Sequence, residues 1–190
     1  MTGSSRTNWK RISKESVFKT RIFDLHLEKS ECVRTGAVQD FYYIHCYDWV
    51  NVIAVTPENS LVMIRQFRHG SGNLEIEVPG GGIDRQDIDP VAAGARELLE
   101  ETGYRGENGR IIGKVCPNPA LQNNLCFTVM FDNCVKVSEP QLEDTEEIET
   151  ELVSMPELDK LVTGGHIRHG LVLNAIHFFE IERRKILKHI

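Results

Sequence analysis

The chain of 190 residues lacks any excess of positive charge: 22 lysines and arginines stand against 28 aspartates and glutamates, a formal net charge of -6. That balance argues against a broad electrostatic grip on nucleic acid, so no nucleic-acid partner is expected, while a local basic pocket for one phosphorylated ligand stays open. Cysteine is sparse and unpatterned. The five present (Cys32, Cys46, Cys116, Cys126, Cys134) are an odd number without a CxxC pair, which points away from a disulfide framework or a zinc knuckle and toward reduced, mostly buried thiols. No apolar run approaches the roughly 18 residues that span a bilayer. The N-terminal MTGSSRTNWKRIS lacks the apolar centre of a signal peptide, so a cytoplasmic protein with no membrane partner is expected. Repeats and low-complexity tracts are missing as well. What the chain does have is 41% apolar content, ample for a real core in one domain with extensions or at most two small domains.

Strand patterns fill the first two thirds. Residues 16–24 and 38–46 alternate loosely, and 49–55 (WVNVIAV) and 61–67 (LVMIRQF) are β-rich runs on either side of the turn PENS, a pattern that predicts a meander. A further pair is expected at 111–116 and 125–131, then an acidic loop at 139–149 and a last strand near 150–154. Two helices close the chain. Pro156 suits the first turn of one at 156–163, and a longer one runs from about 168 to 187 with apolar Leu171, Ala175, Phe178, Phe179 and Ile186.

The densest chemistry lies in PGGGIDRQDIDP followed by RELLEETGY at 96–104. Asp89 is a good N-cap, Pro90 fits the first helical position and Gly103 a left-handed C-cap, so residues 90–102 read as a helix. On it Glu97, Glu100 and Glu101 stand at i, i+3 and i+4, with their carboxylates on one face and no lysine among them. A solvated acidic face is the plain alternative. The glycine turn in front changes the balance, because Pro79 to Gly82 can bring a carbonyl up to that same face. Hard oxygen donors in this number suit Mg²⁺ or Mn²⁺, ions that also take a substrate's phosphate oxygens.

This stretch resembles the Nudix box, G-x5-E-x7-R-E-U-x-E-E-x-G-U. Arg96, Glu97, Leu98, Glu100, Glu101, Gly103 and Tyr104 fit its second half. The first half departs from it. Counting from Gly82 puts Ile88 where the box has glutamate, whereas counting from Gly81 puts Asp87 there with one extra residue before Arg96. The second alignment is preferred. The segment from Asp48 to Gly82, with its QFR and EVPG elements, looks like the strands and loop before the box in ADP-ribose pyrophosphatases and nucleoside diphosphate sugar hydrolases. The end of the chain resembles theirs too.

The resemblance implies an α+β fold, an α/β/α sandwich with a mixed central sheet flanked by helices. An N-terminal antiparallel β extension over residues 1–46 would build a homodimer, and the hydrolase domain would occupy 47–190. It further implies that Gly80, Glu97, Glu100 and Glu101 hold Mg²⁺ or Mn²⁺. Glu101, Arg96 and Glu146 form the implied catalytic set, with Glu143, Asp144 and Glu147 as other candidates for the loop acid that takes the proton of the attacking water. Arg68 and Glu77 would meet a nucleoside diphosphate derivative. Trp49 could stack on its base, and Asn118, in the turn PNPALQNN, is expected to help choose it. The implied reaction is metal-dependent hydrolysis of the pyrophosphate bond of ADP-ribose or a nucleotide sugar such as GDP-mannose, giving a nucleoside monophosphate and a sugar phosphate. An RNA 5'-end pyrophosphohydrolase and a non-catalytic ligand-sensing Nudix module are the alternatives. His166 and His169, three apart ahead of the last helix, are not read as a zinc pair.

Overall fold

The computed structural model describes residues 8–187, with side chains to residue 185, so the expected Ile186 contact and the ends of the chain lie outside it. Contacts divide the chain into two compact units. One holds the residues up to Tyr47 together with Cys116–Asn124; the other holds Asp48–Val115 and the residues from Leu125 onward.

The first unit is an antiparallel sheet of β1 (Trp9–Lys19), β2 (Asp24–Cys32) and β3 (Val38–His45), in that order. The strand expected over 16–24 is broken by a turn. Thr20 is the reason: its hydroxyl donates to the Phe23 carbonyl at 2.7 Å and accepts from the Phe23 N–H at 2.9 Å, and such a local side-chain bond competes with continued pairing. β2, unforeseen in the sequence, follows. Residues 116–124 join this unit through Ile44, whose N–H donates to the Leu121 carbonyl at 2.8 Å.

In the second unit a mixed sheet runs β7 (Gly80–Gly82), β4 (Trp49–Ala54), β9 (Cys126–Lys136) and β8 (Tyr104–Val115), with β4 and β9 parallel. A separate antiparallel sheet runs β10 (Ile148–Ser154), β5 (Ser60–Arg68) and β6 (Asn73–Glu77). The expected meander of β4 into β5 is therefore corrected. The two strands lie in different sheets and touch in one bridge, Val55 to Leu61, because β4 is apolar on both faces and takes a central place between β7 and β9. Val50, Val52 and Ala54 pack against Ala93 and Leu98 of helix α1 (Pro90–Thr102). Ile53, on the opposite side, joins Val172, Ala175, Ile176 and Phe179 of helix α3 (Gly170–Leu187) and Leu158 of the short helix α2 (Met155–Thr163). Helices on both faces of a mixed sheet give the expected α+β class. Full burial of each such side chain contributes about 1.5–3 kcal/mol. Cys126 and Cys134 belong to this interior, and burial pushes their thiols up to about 12. None of the described helices is long and apolar enough to cross a membrane.

Helix α1 has the ends foreseen in its sequence. The Asp89 carboxylate accepts the Ala92 N–H at 2.8 Å, and Gly103 is left-handed at φ 73°. A side chain at Gly103 would also run into the Ser138 carbonyl oxygen. Gly103→Ala is expected to cost more than about 2 kcal/mol from backbone strain and collision together, measured as a lower urea midpoint; an unchanged midpoint would remove the steric argument.

Candidate active site

Arg96 organises the acidic face of α1. Its Nε and Nη2 donate to the two carboxylate oxygens of Asp87, at 3.2 and 3.0 Å, and Nη2 also reaches the Gly82 carbonyl at 3.1 Å. Nη1 donates to Glu97 and Glu100, each at 3.0 Å. Asp87 is thus drawn in, its side chain 6% exposed, and it closes the loop by accepting the Asp84 N–H at 2.8 Å. Ile88 is 90% exposed. Asp87 is therefore the loop acid that meets Arg96, and the longer loop is absorbed by turning Ile88 to solvent.

The glycine turn closes over the same carboxylates. Gly80 donates its N–H to Glu101 Oε2 at 2.9 Å, and Gly81 lies so near Glu97 that a methyl group there would sit 2.6 Å from Oε1. Burial pushes the Glu101 carboxyl up to about 8 against the Gly80 hydrogen bond, with the charges of Glu97 and Glu146 adding to the effect. Burial likewise raises Glu97, while Arg96 opposes the rise and Glu100 and Glu146 add to it. Among the loop acids it is Glu146 whose charge reaches both. That loop is held by mutual bonds, Glu143 N–H to Glu146 Oε2 at 3.0 Å and Glu146 N–H to the Glu143 carbonyl at 2.9 Å.

Beside the turn opens a cavity of about 840 Å³ bordered by Gly80, Gly81, Gly82, Trp49, Arg68 and Glu77. Arg68 grips Glu77 through two bonds, Nε at 3.0 Å and Nη2 at 2.8 Å. Burial would raise Glu77, but His169 and Arg68 outweigh it and hold this carboxyl at about 2. The lining residues not singled out for this role in the sequence include His169, Arg168, Glu75 and Asn51. His169 Nδ1 lies 3.3 Å from Glu77 Oε1, Arg168 donates to Glu75 at 2.8 Å, and Asn51 donates to the Leu171 carbonyl at 3.0 Å. The alternation of Glu75 and Glu77 along β6 was the available signal, since both must face the same way. Asn118 stands in the other compact unit, an exposed turn residue whose carbonyl accepts the N–H groups of Leu121 and Gln122 at 2.9 and 2.7 Å.

The donor set suits a hard divalent cation. Among the described residues no three carboxylate, imidazole or thiol groups already converge on one point. The helix instead presents a row of carboxylate oxygens, and the deepest of them, Glu101, has an amide N–H but no guanidinium or ammonium bonded to it. Such a row fits an ion that keeps several of its waters.

Known proteins resemble this chain. The chain is 25% identical over 174 residues to an ADP-ribose pyrophosphatase of Bacillus subtilis, covering 91% of this chain and 93% of that one. It is 34% identical over 123 residues to an ADP-sugar pyrophosphatase of Mus musculus, covering 60% and 55%. The crystal structure of an ADP compounds hydrolase superposes with a TM-score of 0.81 at 17% identity over 98% of both chains, a likeness of fold. The NUDIX domain model matches residues 48–174, a span that holds the glycine turn, the acidic helix, Glu146 and the cavity, and the chain belongs to the Nudix hydrolase family.

Proposed function

We propose that the protein hydrolyses the pyrophosphate bond of ADP-ribose or a related nucleoside diphosphate sugar with the help of Mg²⁺ or Mn²⁺, releasing a nucleoside monophosphate and a sugar phosphate. The observation that carries this reading is the row of buried carboxylates, Glu97 held by Arg96 and Glu101 held by the Gly80 N–H alone, behind the glycine turn that borders the cavity with Arg68. An anionic diphosphate approaches such a row only when a cation lies between them. Glu97, Glu100 and Glu101, with a backbone oxygen of the Gly80 turn, are the residues that would hold it. When bound, the ion supplies charge neutralisation and polarises the phosphoryl group.

The side chains provide the remainder of the mechanism. Arg96 holds Glu97 and Glu100 in place, and the Gly80 N–H orients Glu101. Arg68, fixed by Glu77, directs its remaining donors to the diphosphate. Glu146 accepts the proton of the attacking water as the new P–O bond forms, and the bridging P–O bond breaks toward the departing phosphate. The relatives named as ADP-ribose and ADP-sugar pyrophosphatases support this class of substrate, and the negative net charge disfavours an RNA 5' end.

The protein is also inferred to be a homodimer. Strand β1 is exposed at every position, and Trp9, Ile12, Val17, Phe18 and Phe41 leave a large apolar area on the sheet of the first unit. A three-stranded sheet without a covered face is marginal in water, and a second copy provides the cover. Light scattering on the wild type is expected to give twice the chain mass, with Phe18→Glu shifting the population to monomer; a wild-type monomer at micromolar concentration overturns the dimer.

A panel of nucleoside diphosphate derivatives with Mg²⁺ or Mn²⁺, followed through monophosphate release, tests the activity, and no turnover across the panel would falsify it. Glu101→Gln is expected to lower kcat on the order of a thousandfold. The same substitution has an opposite effect on stability. Because the folded-state value of about 8 lies above the usual 4.5, the contribution of Glu101 is fully present below about pH 4.5 and lost as pH rises through about 8. In chelator at pH 8.5 Glu101→Gln should therefore melt higher than wild type by roughly a few degrees, with the gap closing near pH 5.

A further inference from the structure

Glu75 and Glu77 stand two apart on β6, so both side chains leave the same face of the strand about 7 Å from one another. Each is buried, and each meets one of two consecutive residues ahead of α3. Glu77 meets His169 as well as Arg68, and Glu75 meets Arg168. Arg68 and the Gly80 turn lie at the Glu77 end of the cavity, next to the carboxylate row. Arg168 is one strand repeat further from that row, with a side chain 54% exposed beside a Glu75 side chain that is 7% exposed.

The second step repeats the arginine–glutamate pairing of the first but commits one bond where Arg68 commits two. Arg168 has five N–H donors, of which Nη2 gives one to Glu75 Oε1 at 2.8 Å. Its charge is balanced by that buried carboxylate, and the rest of its planar fork is left for a ligand. The same cavity is lined by Ser71 and Asn73, neutral hydrogen-bonding side chains, and by His69. A balanced fork beside a carboxylate and neutral polar groups offers donors and an acceptor without net charge, the complement of adjacent hydroxyls, each of which both donates and accepts.

We propose that the Arg168–Glu75 pair recognises vicinal hydroxyls of the sugar attached to the diphosphate, with Arg168 touching the sugar and Glu75 acting as its positioning residue. The inference rests on the substrate class given above, and it assigns the sugar-reading role to a pair outside the acidic helix and glycine turn. Selectivity for a nucleoside diphosphate sugar over a diphosphate with a simple alkyl ester then resides at the start of α3.

Binding of a hydrolysis product tests this without turnover. Ribose 5-phosphate and methyl phosphate are titrated calorimetrically, with Mg²⁺, into the full-length wild type, Arg168→Ala, Arg168→Lys and Glu75→Gln. Arg168→Ala is expected to weaken ribose 5-phosphate about ten- to a hundredfold, the worth of one or two hydrogen bonds from a charged donor, and methyl phosphate by a much smaller factor. Arg168→Lys should behave nearly as Arg168→Ala, because a point charge does not replace the fork, and Glu75→Gln should fall between it and wild type. Equal weakening of both ligands, recovery by Arg168→Lys, or a wild type that fails to bind ribose 5-phosphate overturns the proposal. Sugar-dependent binding in a protein that hydrolyses nothing would leave this site standing and remove the proposed reaction alone.

Discussion

The candidate site depends on one guanidinium. Arg96 joins three pieces of chain that would otherwise repel or drift: the loop acid Asp87, the Gly82 carbonyl of the turn, and two carboxylates of α1. Like charges at i,i+3 and i,i+4 cost little when exposed, but Glu97 is largely buried, where an unbalanced charge costs much more. A lysine would neutralise one charge without spanning the same directions. The planar fork reaches them all from a single side chain.

Charge balance then separates the site into two regions. In the cavity Glu75 and Glu77 each have an arginine, and the pairing keeps Glu77 ionised far below the ordinary carboxylate range. On the helix Glu101 has only the Gly80 N–H, and its carboxyl is displaced in the other direction. Two buried glutamates of one site thus titrate on opposite sides of their usual value. The difference lies in how far bonded cations offset burial: Glu77 has Arg68 and His169 against it, whereas Glu101 has the Gly80 N–H and only the more distant charge of Arg68, and an added cation is its natural complement.

Much of this was legible in the sequence because its causes are local. Asp89, Pro90 and Gly103 bound α1 by capping rules, and the spacing of Glu97, Glu100 and Glu101 placed them on one face before any fold was considered. The competition between Asp87 and Ile88 was not local; it was decided by which side chain Arg96 meets across the loop. Partition of β4 and β5 between two sheets was hidden as well, since periodicity describes a strand's faces and is silent about its neighbours. Arg168 and His169 lie about ninety residues from Glu75 and Glu77. Only tertiary packing brings such groups together, so the partners of Arg168 and His169 could not be found along the chain.

Strand β4 touches both banks of that cavity. Its pairing with β7 sets Asn51 opposite Gly80 and Trp49 opposite Gly82, and the Asn51 side chain also holds the Leu171 carbonyl at the start of α3. The glycine turn and the opposite wall are therefore referenced to the same strand, as the jaws of a calliper are to its beam. The gauge between them is thus set by a buried strand and not by the loops that line the opening.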